Sequence, residues 1–356
     1  MSSVFLRTES FCHRFGVKLP ILLAPMAGAC APSLSVAVMR AGGLGSCGAL
    51  MMSPTEIVAW ATKVHAGSDG PFQINLWIPD PVPMRDSGKE KAVRDFLAKW
   101  GPRVEPSAGD ALPPDFSDQC NALLETAPPI VSSVMGLFPP EFVKQLKSRQ
   151  IAWFANVSTL AEARAAEAAG ADAIVAQGME AGGHRGCFDQ AAAERQMIGL
   201  FSLLPAIVDS VGIPVVATGG IADGRGVAAA LALGASAAQI GTGFLRCPEA
   251  NIHPAWAAAL ATTAPEDTMI TRAFSGRAGR SIATAYVRAA AESAAPVPAP
   301  YPVQRGLTAA MRAESINTGD IERMQAWAGQ SAALGRTQSA GAMVGELWDS
   351  ACQFLA

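Results

Sequence analysis

The chain has 356 residues, of which half are apolar and 16% are charged, and its formal net charge is −3. Without a run of lysine or arginine, it lacks the positive field expected of a protein that binds nucleic acid or an anionic membrane. Because it has no apolar signal-peptide core and no uninterrupted apolar stretch of membrane-spanning length, a globular, cytoplasmic protein is predicted. The seven scattered cysteines are never spaced as CxxC, so neither a disulfide framework nor a metal site is predicted.

Short apolar runs alternate with alanine-rich, helix-like stretches between residue 20 and about residue 245. The runs predict eight β-strands, at residues 21–25, 44–49, 72–77, 130–136, 151–157, 173–177, 214–218 and 238–242. The stretches between them predict helices, at residues 33–41, 54–65, 140–147, 160–169, 196–211 and 224–233. Eight such units predict an α/β fold closed into a (β/α)8 TIM barrel. The alternative is a doubly wound open sheet, which shares the local pattern but usually has about six strands.

Two segments interrupt this alternation. Residues 79–127 are rich in proline and charge, and residues 246–320, which include APVPAPYPVQ, follow the eighth predicted strand. Because loops after barrel strands carry function, we interpret residues 246–320, the cap segment, as a rim over the barrel mouth. The barrel then comprises residues 1–245 and 321–356, with the cap segment in the same domain. The chain is expected to return to the barrel in a helix over residues 321–334.

Residues 43–48 match the pattern GxGxxG, which is typical of dinucleotide-binding turns. That fingerprint follows a strand and opens a helix, whereas here a helix-like stretch precedes the glycines and a predicted strand overlaps them. These glycines are therefore interpreted as a tight turn from helix to strand.

Two other glycine-rich turns, ATGGIADG and QIGTG, end the seventh and eighth predicted strands. In barrels, this pair of turns frequently binds phosphate through backbone N–H groups and a helix N-terminus. A phosphorylated ligand is therefore predicted, with Thr218 and Thr242 adding hydroxyl groups. The alternative is that the glycines only turn the chain.

The loop after the sixth strand, QGMEAGGHRG at residues 177–186, places polar and charged side chains among four glycines. Glycine lets the main chain approach a flat ring closely, and histidine exchanges protons near neutral pH. His184 is therefore the candidate catalytic residue, whereas the three other histidines are interpreted as structural. Glu180 and Arg185 would either form a salt bridge that fixes the loop or take a direct catalytic part. Asn75, at the end of the third strand, would hydrogen-bond the edge of a heterocycle.

These segments resemble the nitronate monooxygenase family, formerly called 2-nitropropane dioxygenases, over nearly the whole chain. The resemblance rests on PILLAPMAGACAPSLSVAVMRAGGLGSCGAL, FQINLW, QGMEAGGHRG, PVVATGGIADGRGVAAALALGASAAQIGTGFL and the late WAGQ. Members are FMN-dependent barrels, so the resemblance implies that FMN binds at the barrel mouth. The residues implied for the flavin ring and ribityl chain are Ala24, Met26, Asn75, Gln177, Gly182 and Gly183. Those implied for its phosphate are Gly219, Gly220, Gln239, Gly241 and Thr242, and Trp327 and Gln330 would close the pocket.

By the same resemblance, His184 would deprotonate a neutral nitroalkane, or steady an anionic nitronate and the reduced flavin. The implied reaction passes an electron from an alkyl nitronate, such as propionate 3-nitronate, to FMN and uses O2 to break the C–N bond. Its products are a carbonyl compound and nitrite, and no nicotinamide is consumed. The nitronate and O2 are the expected partners, and the chain would act as a monomer or homodimer. Some members have several tyrosines around the substrate, whereas this chain has two, of which Tyr301 is the candidate substrate contact.

Three other functions remain open for these residues. Related barrels with a similar GGH loop are FMN-dependent reductases that pass hydride from NADH or NADPH to a quinone or an enoyl thioester. A non-catalytic flavin or phosphate binder would have no need of the His184 loop. A phosphosugar enzyme without flavin would share only the two phosphate turns.

Overall fold

The computed structural model describes residues 3–356 and contains eleven β-strands in this part of the chain. In chain order they are β1 (Ile21–Leu23), β2 (Gly45–Gly48), β3 (Phe72–Trp77), β4 (Ile130–Val134), β5 (Ala152–Val157), β6 (Ala173–Gln177), β7 (Gly183–His184), β8 (Val215–Thr218), β9 (Ala237–Ile240), β10 (Thr268–Thr271) and β11 (Gly279–Ile282). Eight of them match the eight predicted strands, with bounds that differ by a few residues at either end.

These eight strands form one parallel sheet in the order β1-β9-β8-β6-β5-β4-β3-β2. A further parallel bridge joins Leu22 of β1 to Leu44, beside β2, and brings the two edges of the sheet together. The (β/α)8 TIM barrel is therefore confirmed, and the open doubly wound sheet is wrong. The strands are buried on both faces because helices cover the outside and side chains fill the inside.

Fourteen α-helices accompany the strands within residues 3–356. Their bounds are α1 (Ser3–Phe15), α2 (Pro32–Arg40), α3 (Pro54–Gly67), α4 (Ser87–Leu97), α5 (Phe116–Thr126), α6 (Pro140–Ser148), α7 (Leu160–Ala168), α8 (Leu200–Val208), α9 (Gly224–Ala232), α10 (Pro254–Leu260), α11 (Ala285–Ala290), α12 (Val303–Leu307), α13 (Ala309–Thr318) and α14 (Ala340–Leu355). Side-chain caps start several of them, as at α3 and α7, where a serine or threonine and a glutamate form a capping box.

Two helix predictions need correction. The helix predicted over residues 321–334 is wrong, because Trp327 forms an extended bridge with Ser281 and only a short 3-10 turn follows at Ala332–Leu334. The chain instead returns to the barrel through α14, which packs against α9 and α2. The helix predicted over residues 196–211 is shorter, since α8 begins at Leu200, where the carboxylate of Glu180 accepts the backbone N–H.

The N-terminal helix α1, which the sequence patterns did not reveal, closes the base of the barrel. Phe11 and Phe15 pack against Phe154 inside the barrel, and the rings of Phe15 and Phe154 meet edge to face at 4.7 Å. This apolar plug fills the lower end of the barrel interior. The opposite end, where the strands finish at their carboxyl ends, is left for the functional loops.

The cap segment reaches this open end through a small antiparallel sheet in the order β10-β11-β7. It also shares a second hydrophobic cluster with α4, in which Leu97, Phe274 and Leu307 are fully buried. Among residues 3–356, no helix is both long and apolar enough to cross a membrane. In the same residues, no three His, Cys, Asp or Glu side chains are grouped so as to hold a metal ion.

Candidate active site at the barrel mouth

His184 lies in β7, which pairs with β11 of the cap segment, so the predicted loop is held between barrel and cap. Its imidazole packs between Trp77 and Trp327, with ring centroids 4.7 Å away on each side. The ring Nε2 and the hydroxyl of Ser275 are 2.7 Å apart and share a hydrogen bond. Ser275 is fixed in turn by the backbone N–H and carbonyl of Arg277. The ring is therefore held in one orientation from three directions.

The surroundings of His184 favour the neutral imidazole. Burial, followed by the positive charges of Arg277 and Arg305, lowers its pKa to about 3 from an ordinary value near 6.5. A histidine with this pKa is a weak proton acceptor, but it offers a neutral ring beside two guanidinium groups. Such a pocket favours an anion over a neutral molecule.

The turns after β8 and β9 supply backbone donors. Gly219 and Gly220 have φ angles of +111° and +70°, a region that favours glycine, and within residues 3–356 their N–H groups donate to no acceptor. The side chain of Asp223 accepts from the backbone N–H of Gly226, so one donor at the N-terminus of α9 is already engaged. Of the two kinds of donor that the sequence predicted for a phosphate, the glycine amides of the turn are the ones left free in the described part of the chain.

The glycines of the β6 loop have two different reasons to be glycine. A Cβ on Gly182 would lie 2.5 Å from the backbone nitrogen of Gly329 and 2.8 Å from the hydroxyl of Thr242, so this glycine permits close packing of the loop. A Cβ on Gly183 would meet nothing within 4 Å, and its φ is +76°. Gly183 thus faces open space at the mouth, where a flat ring could approach the backbone. The open space at Gly183 could accept a planar ring, and the free backbone amides of Gly219 and Gly220 could accept a phosphate. These two features fit a phosphorylated planar cofactor.

The structure brings the other predicted residues to the same mouth, although several are already engaged. Gln177 donates from Nε2 to the carbonyl of His184 and accepts from the backbone N–H of Gly186, so its amide holds the catalytic loop. Thr218 donates its hydroxyl to the carbonyl of Gln239, and Thr242 accepts from the N–H of Gly329.

At the strand ends, a Cβ on Gly241 would lie 3.3 Å from the Cβ of Ala24 and 3.4 Å from the sulfur of Met26, so these two ends adjoin. Inside the mouth, Gln239 accepts from Gln73, and Asn75 donates to Ser132. Gln330 donates its backbone N–H to the carbonyl of Glu180, which fixes the late WAGQ segment against the β6 loop.

Glu180 and Arg185 form no salt bridge with each other within residues 3–356. Glu180 instead caps α8 through the backbone N–H of Leu200. The guanidinium of Arg185 is buried and donates to the carbonyls of Gln177 and Gly178. Both side chains fix the loop, as one of the two hypotheses predicted. They do so by hydrogen bonds to backbone groups and not by a salt bridge between Glu180 and Arg185.

Sequence reasoning missed four side chains that surround His184: Trp77, Ser275, Arg277 and Arg305. Trp77 was within a quoted segment but had no assigned role, and the other three lie in the cap segment. The segment FSGRAGRSI contains a pattern that could have indicated them, since small residues of the kind found in protein interiors are interspersed with two arginines. Nothing local indicated that these residues fold back onto a loop that lies about ninety positions earlier in the chain.

A TIM barrel with free backbone donors on one side of its mouth and a buried histidine, covered by the cap segment, on the other has the arrangement of a TIM-barrel enzyme. The sequence profile of the family described as nitronate monooxygenase matches residues 9–350. The chain belongs to this family of flavin-dependent oxidoreductases.

Individual relatives agree with this assignment. A nitronate monooxygenase of Paraburkholderia phytofirmans is 39% identical over 338 residues, which cover 93% of this chain and 92% of that protein. The solved structure of nitroalkane oxidase from Streptomyces ansochromogenes superposes with a TM-score of 0.87 at 34% identity and covers 97% of this chain and all of that one. The structure of FabK from Thermotoga maritima superposes with a TM-score of 0.75 at 28% identity, covering 97% of this chain and 96% of that one.

Proposed function

We propose that this protein is an FMN-dependent enzyme that oxidises alkyl nitronates, such as propionate 3-nitronate, with O2 to a carbonyl compound and nitrite. The observation that carries the proposal is the position of His184, which follows β6 at the barrel mouth, lies between Trp77 and Trp327 and hydrogen-bonds Ser275. The name of the relative from Paraburkholderia phytofirmans, nitronate monooxygenase, supports oxidation of nitronates.

FMN would be held by the turns after β8 and β9 through its phosphate and by the strand ends and the β6 loop through its ring. The predicted set is Ala24, Met26, Asn75, Gln177, Gly182, Gly183, Thr218, Gly219, Gly220, Gln239, Gly241 and Thr242, with Trp327 and Gln330 closing the pocket. When bound, FMN would supply one-electron chemistry between the nitronate and O2. Gln177 and Arg185 would act indirectly, since they fix the backbone of the loop that carries His184.

His184 would orient the nitronate, and the two tryptophans on either side of its ring would exclude water. A pKa of about 3 makes the imidazole a poor base for a neutral nitroalkane, whose proton must be removed before oxidation. It does not hinder a nitronate, which arrives deprotonated. We therefore propose nitronates rather than neutral nitroalkanes as substrates.

We also propose that residues 246–320 form a rim of the barrel domain, because they share a hydrophobic cluster with α4.

The test is an assay of the purified, flavin-loaded protein for O2 uptake and nitrite release with ethylnitronate and with nitroethane. We expect rapid turnover of the nitronate, much slower turnover of nitroethane, and no oxidation of NADH. Absence of a flavin absorbance band, or of nitrite from any nitronate, would contradict the proposal.

The structural similarity to FabK favours a second candidate, an FMN-dependent NAD(P)H reductase of a quinone or an enoyl thioester. The two candidates share the barrel mouth but differ in the electron donor. Under anaerobic conditions, bleaching of the flavin by NADH or NADPH within seconds, without nitrite production from nitronates in air, would favour the reductase.

A further inference from the structure

Three side chains of the cap segment contribute polar groups to the mouth that the rest of the chain leaves unsatisfied. They are Arg277, Tyr301 and Arg305, and together we call them the cationic pocket. Arg277 and Tyr301 are only 2% and 6% exposed, yet Nε and Nη1 of Arg277 and the hydroxyl of Tyr301 have no hydrogen-bond partner within residues 3–356. Buried donors in this number are rare in native proteins and point to a ligand.

Within residues 3–356, the carboxylates around this pocket do not balance its positive charge. Arg277 pairs with Asp80 through Nη2 at 2.7 Å, whereas Arg305 forms no ion pair within the described part of the chain. Burial lowers the pKa of Arg305 and raises that of Tyr301, and the charge of each group shifts the pKa of the other in the opposite sense. Two guanidinium groups against one carboxylate leave about one unit of positive charge beside a neutral imidazole. A partly buried charge of this kind is costly unless an anion accompanies it.

The phosphate of FMN does not account for this charge. Asp80 follows β3, and the ring of Trp77, at the end of β3, lies 6.0 Å below the guanidinium of Arg277. In the closed barrel, β3 is four strands from β8 in either direction and at least three from β9, so it lies across the mouth from the turns after these two strands. The cationic pocket is therefore on the opposite side of the mouth from those turns.

The pocket does adjoin His184. Trp77 contacts both the imidazole, at 4.7 Å between ring centroids, and the ring of Tyr301, at 5.4 Å. The charges of Arg277 and Arg305 also act directly on the imidazole. A small molecule that contacts His184 with one end would reach the guanidinium groups with its other end.

We propose that Arg277, Arg305 and Tyr301 bind a carboxylate carried by the substrate, so that the enzyme selects nitronates with a second anionic group over simple alkyl nitronates. This inference rests on the proposed function and names the three residues that set its substrate preference. A guanidinium group presents paired N–H donors that match a carboxylate, and the Tyr301 hydroxyl adds a third donor.

The test compares propionate 3-nitronate with butyl-1-nitronate, which has a similar length but no carboxylate. Arg305→Gln is the main variant, because Arg305 has no ion pair among residues 3–356 and its loss leaves no carboxylate of that part of the chain unpaired. We expect the KM for propionate 3-nitronate to rise about 10- to 100-fold with little change in kcat. The kcat/KM for butyl-1-nitronate should fall only a few-fold, because this substrate loses part of the favourable positive field but no carboxylate contact. Tyr301→Phe should have the same pattern with a smaller effect.

Arg288→Gln is the matched control, because Arg288 also lies in the cap segment but is exposed and pairs with Asp267. It should leave both substrates unchanged. Equal losses for both nitronates in Arg305→Gln, or no loss for either, would overturn the inference. A loss confined to reduction by NADPH would also overturn it, since the guanidinium groups would then bind a nucleotide phosphate.

A binding experiment separates this inference from the proposed function. Succinate, a dicarboxylate without a nitro group, should raise the thermal unfolding midpoint of the wild-type holoenzyme and raise that of Arg305→Gln much less. If the wild type releases no nitrite from either nitronate while succinate still distinguishes the two proteins, only the proposed function fails. If succinate stabilises both equally, the cationic pocket does not bind carboxylate.

Discussion

The turns after β8 and β9 and the cationic pocket face the same barrel mouth from opposite sides, and they offer different kinds of donor. The turn after β8 presents the backbone N–H groups of Gly219 and Gly220, whose positive φ angles are a property of the local chain, and the turn after β9 adds backbone groups around Thr242. The pocket presents side chains of the cap segment, brought against Trp77 and Asp80 by long-range packing. Backbone donors suit a constant group such as a phosphate, whereas side-chain donors can be exchanged without disturbing the barrel. We therefore infer that the turns retain the cofactor and that the cap side sets substrate preference.

Of the variants considered, His184→Ala should have the largest effect on activity. It should not affect cofactor binding by the turns on the opposite side of the mouth. Loss of the imidazole removes the group that orients the nitronate, so kcat/KM should fall by about 10²-fold. The flavin content should remain unchanged, because the ring contacts Trp77, Trp327 and Ser275 rather than the phosphate turns. The measurement is nitrite release together with the flavin-to-protein absorbance ratio.

His13→Ala is the control for that variant, because His13 is an exposed residue of α1 at the other end of the barrel. It should behave as wild type in both measurements. If His184→Ala keeps full turnover, the proposed role of the imidazole is wrong.

Gly219→Ala should affect the opposite side of the mouth. An alanine at φ +111° is strained, and its Cβ would lie 3.1 Å from the backbone nitrogen of Ala181. We expect the dissociation constant for FMN to rise about tenfold, which corresponds to roughly 1.4 kcal/mol. The ratio of kcat/KM values for the two nitronates, measured at saturating FMN, should stay the same.

Gly345→Ala provides the matched control, since this helical glycine of α14 has nothing within 4 Å of the added Cβ. It should leave FMN affinity unchanged. Tight FMN binding by Gly219→Ala would show that the turn amides do not hold the phosphate.

The pH dependence should show the smallest effect. Because burial and the two arginines lower the pKa of His184 to about 3, the imidazole stays neutral from about pH 5 upward in the free enzyme. The kcat/KM for a freshly prepared nitronate should therefore show no ionisation near pH 6.5. A change of kcat/KM with a midpoint between pH 6 and 7 that disappears in His184→Ala would contradict the lowered pKa of His184.

The same lowered pKa has a consequence for stability. The unfolded chain binds a proton at His184 near pH 6.5, but the folded chain does so only near pH 3. Between these two pH values the unfolded state binds a proton that the folded state does not. The free energy of unfolding is therefore highest above about pH 6.5 and decreases as the pH falls towards 3, by at most about 1.4 kcal/mol per pH unit. Denaturant titrations of wild type and His184→Ala should diverge in this pH window.

The sequence by itself determined the barrel and the positions of the two glycine-rich turns and the histidine loop, because each depends on residues that are close together in the chain. Alternating apolar runs specify βα units, and the paired glycines Gly219 and Gly220 specify a turn with positive φ. The N-terminal plug and the extended conformation around Trp327 could not be predicted, because they depend on the barrel interior and on Ser281 in β11.

Only the tertiary structure decided what surrounds His184. Ser275, Arg277 and Arg305 lie about 90 to 120 residues beyond it, and no local pattern relates them to the β6 loop. The antiparallel pairing of β7 with β11 brings them together, and the same pairing buries the imidazole and lowers its pKa. Local sequence thus specifies which residues can react, whereas long-range packing sets their charge and their neighbours.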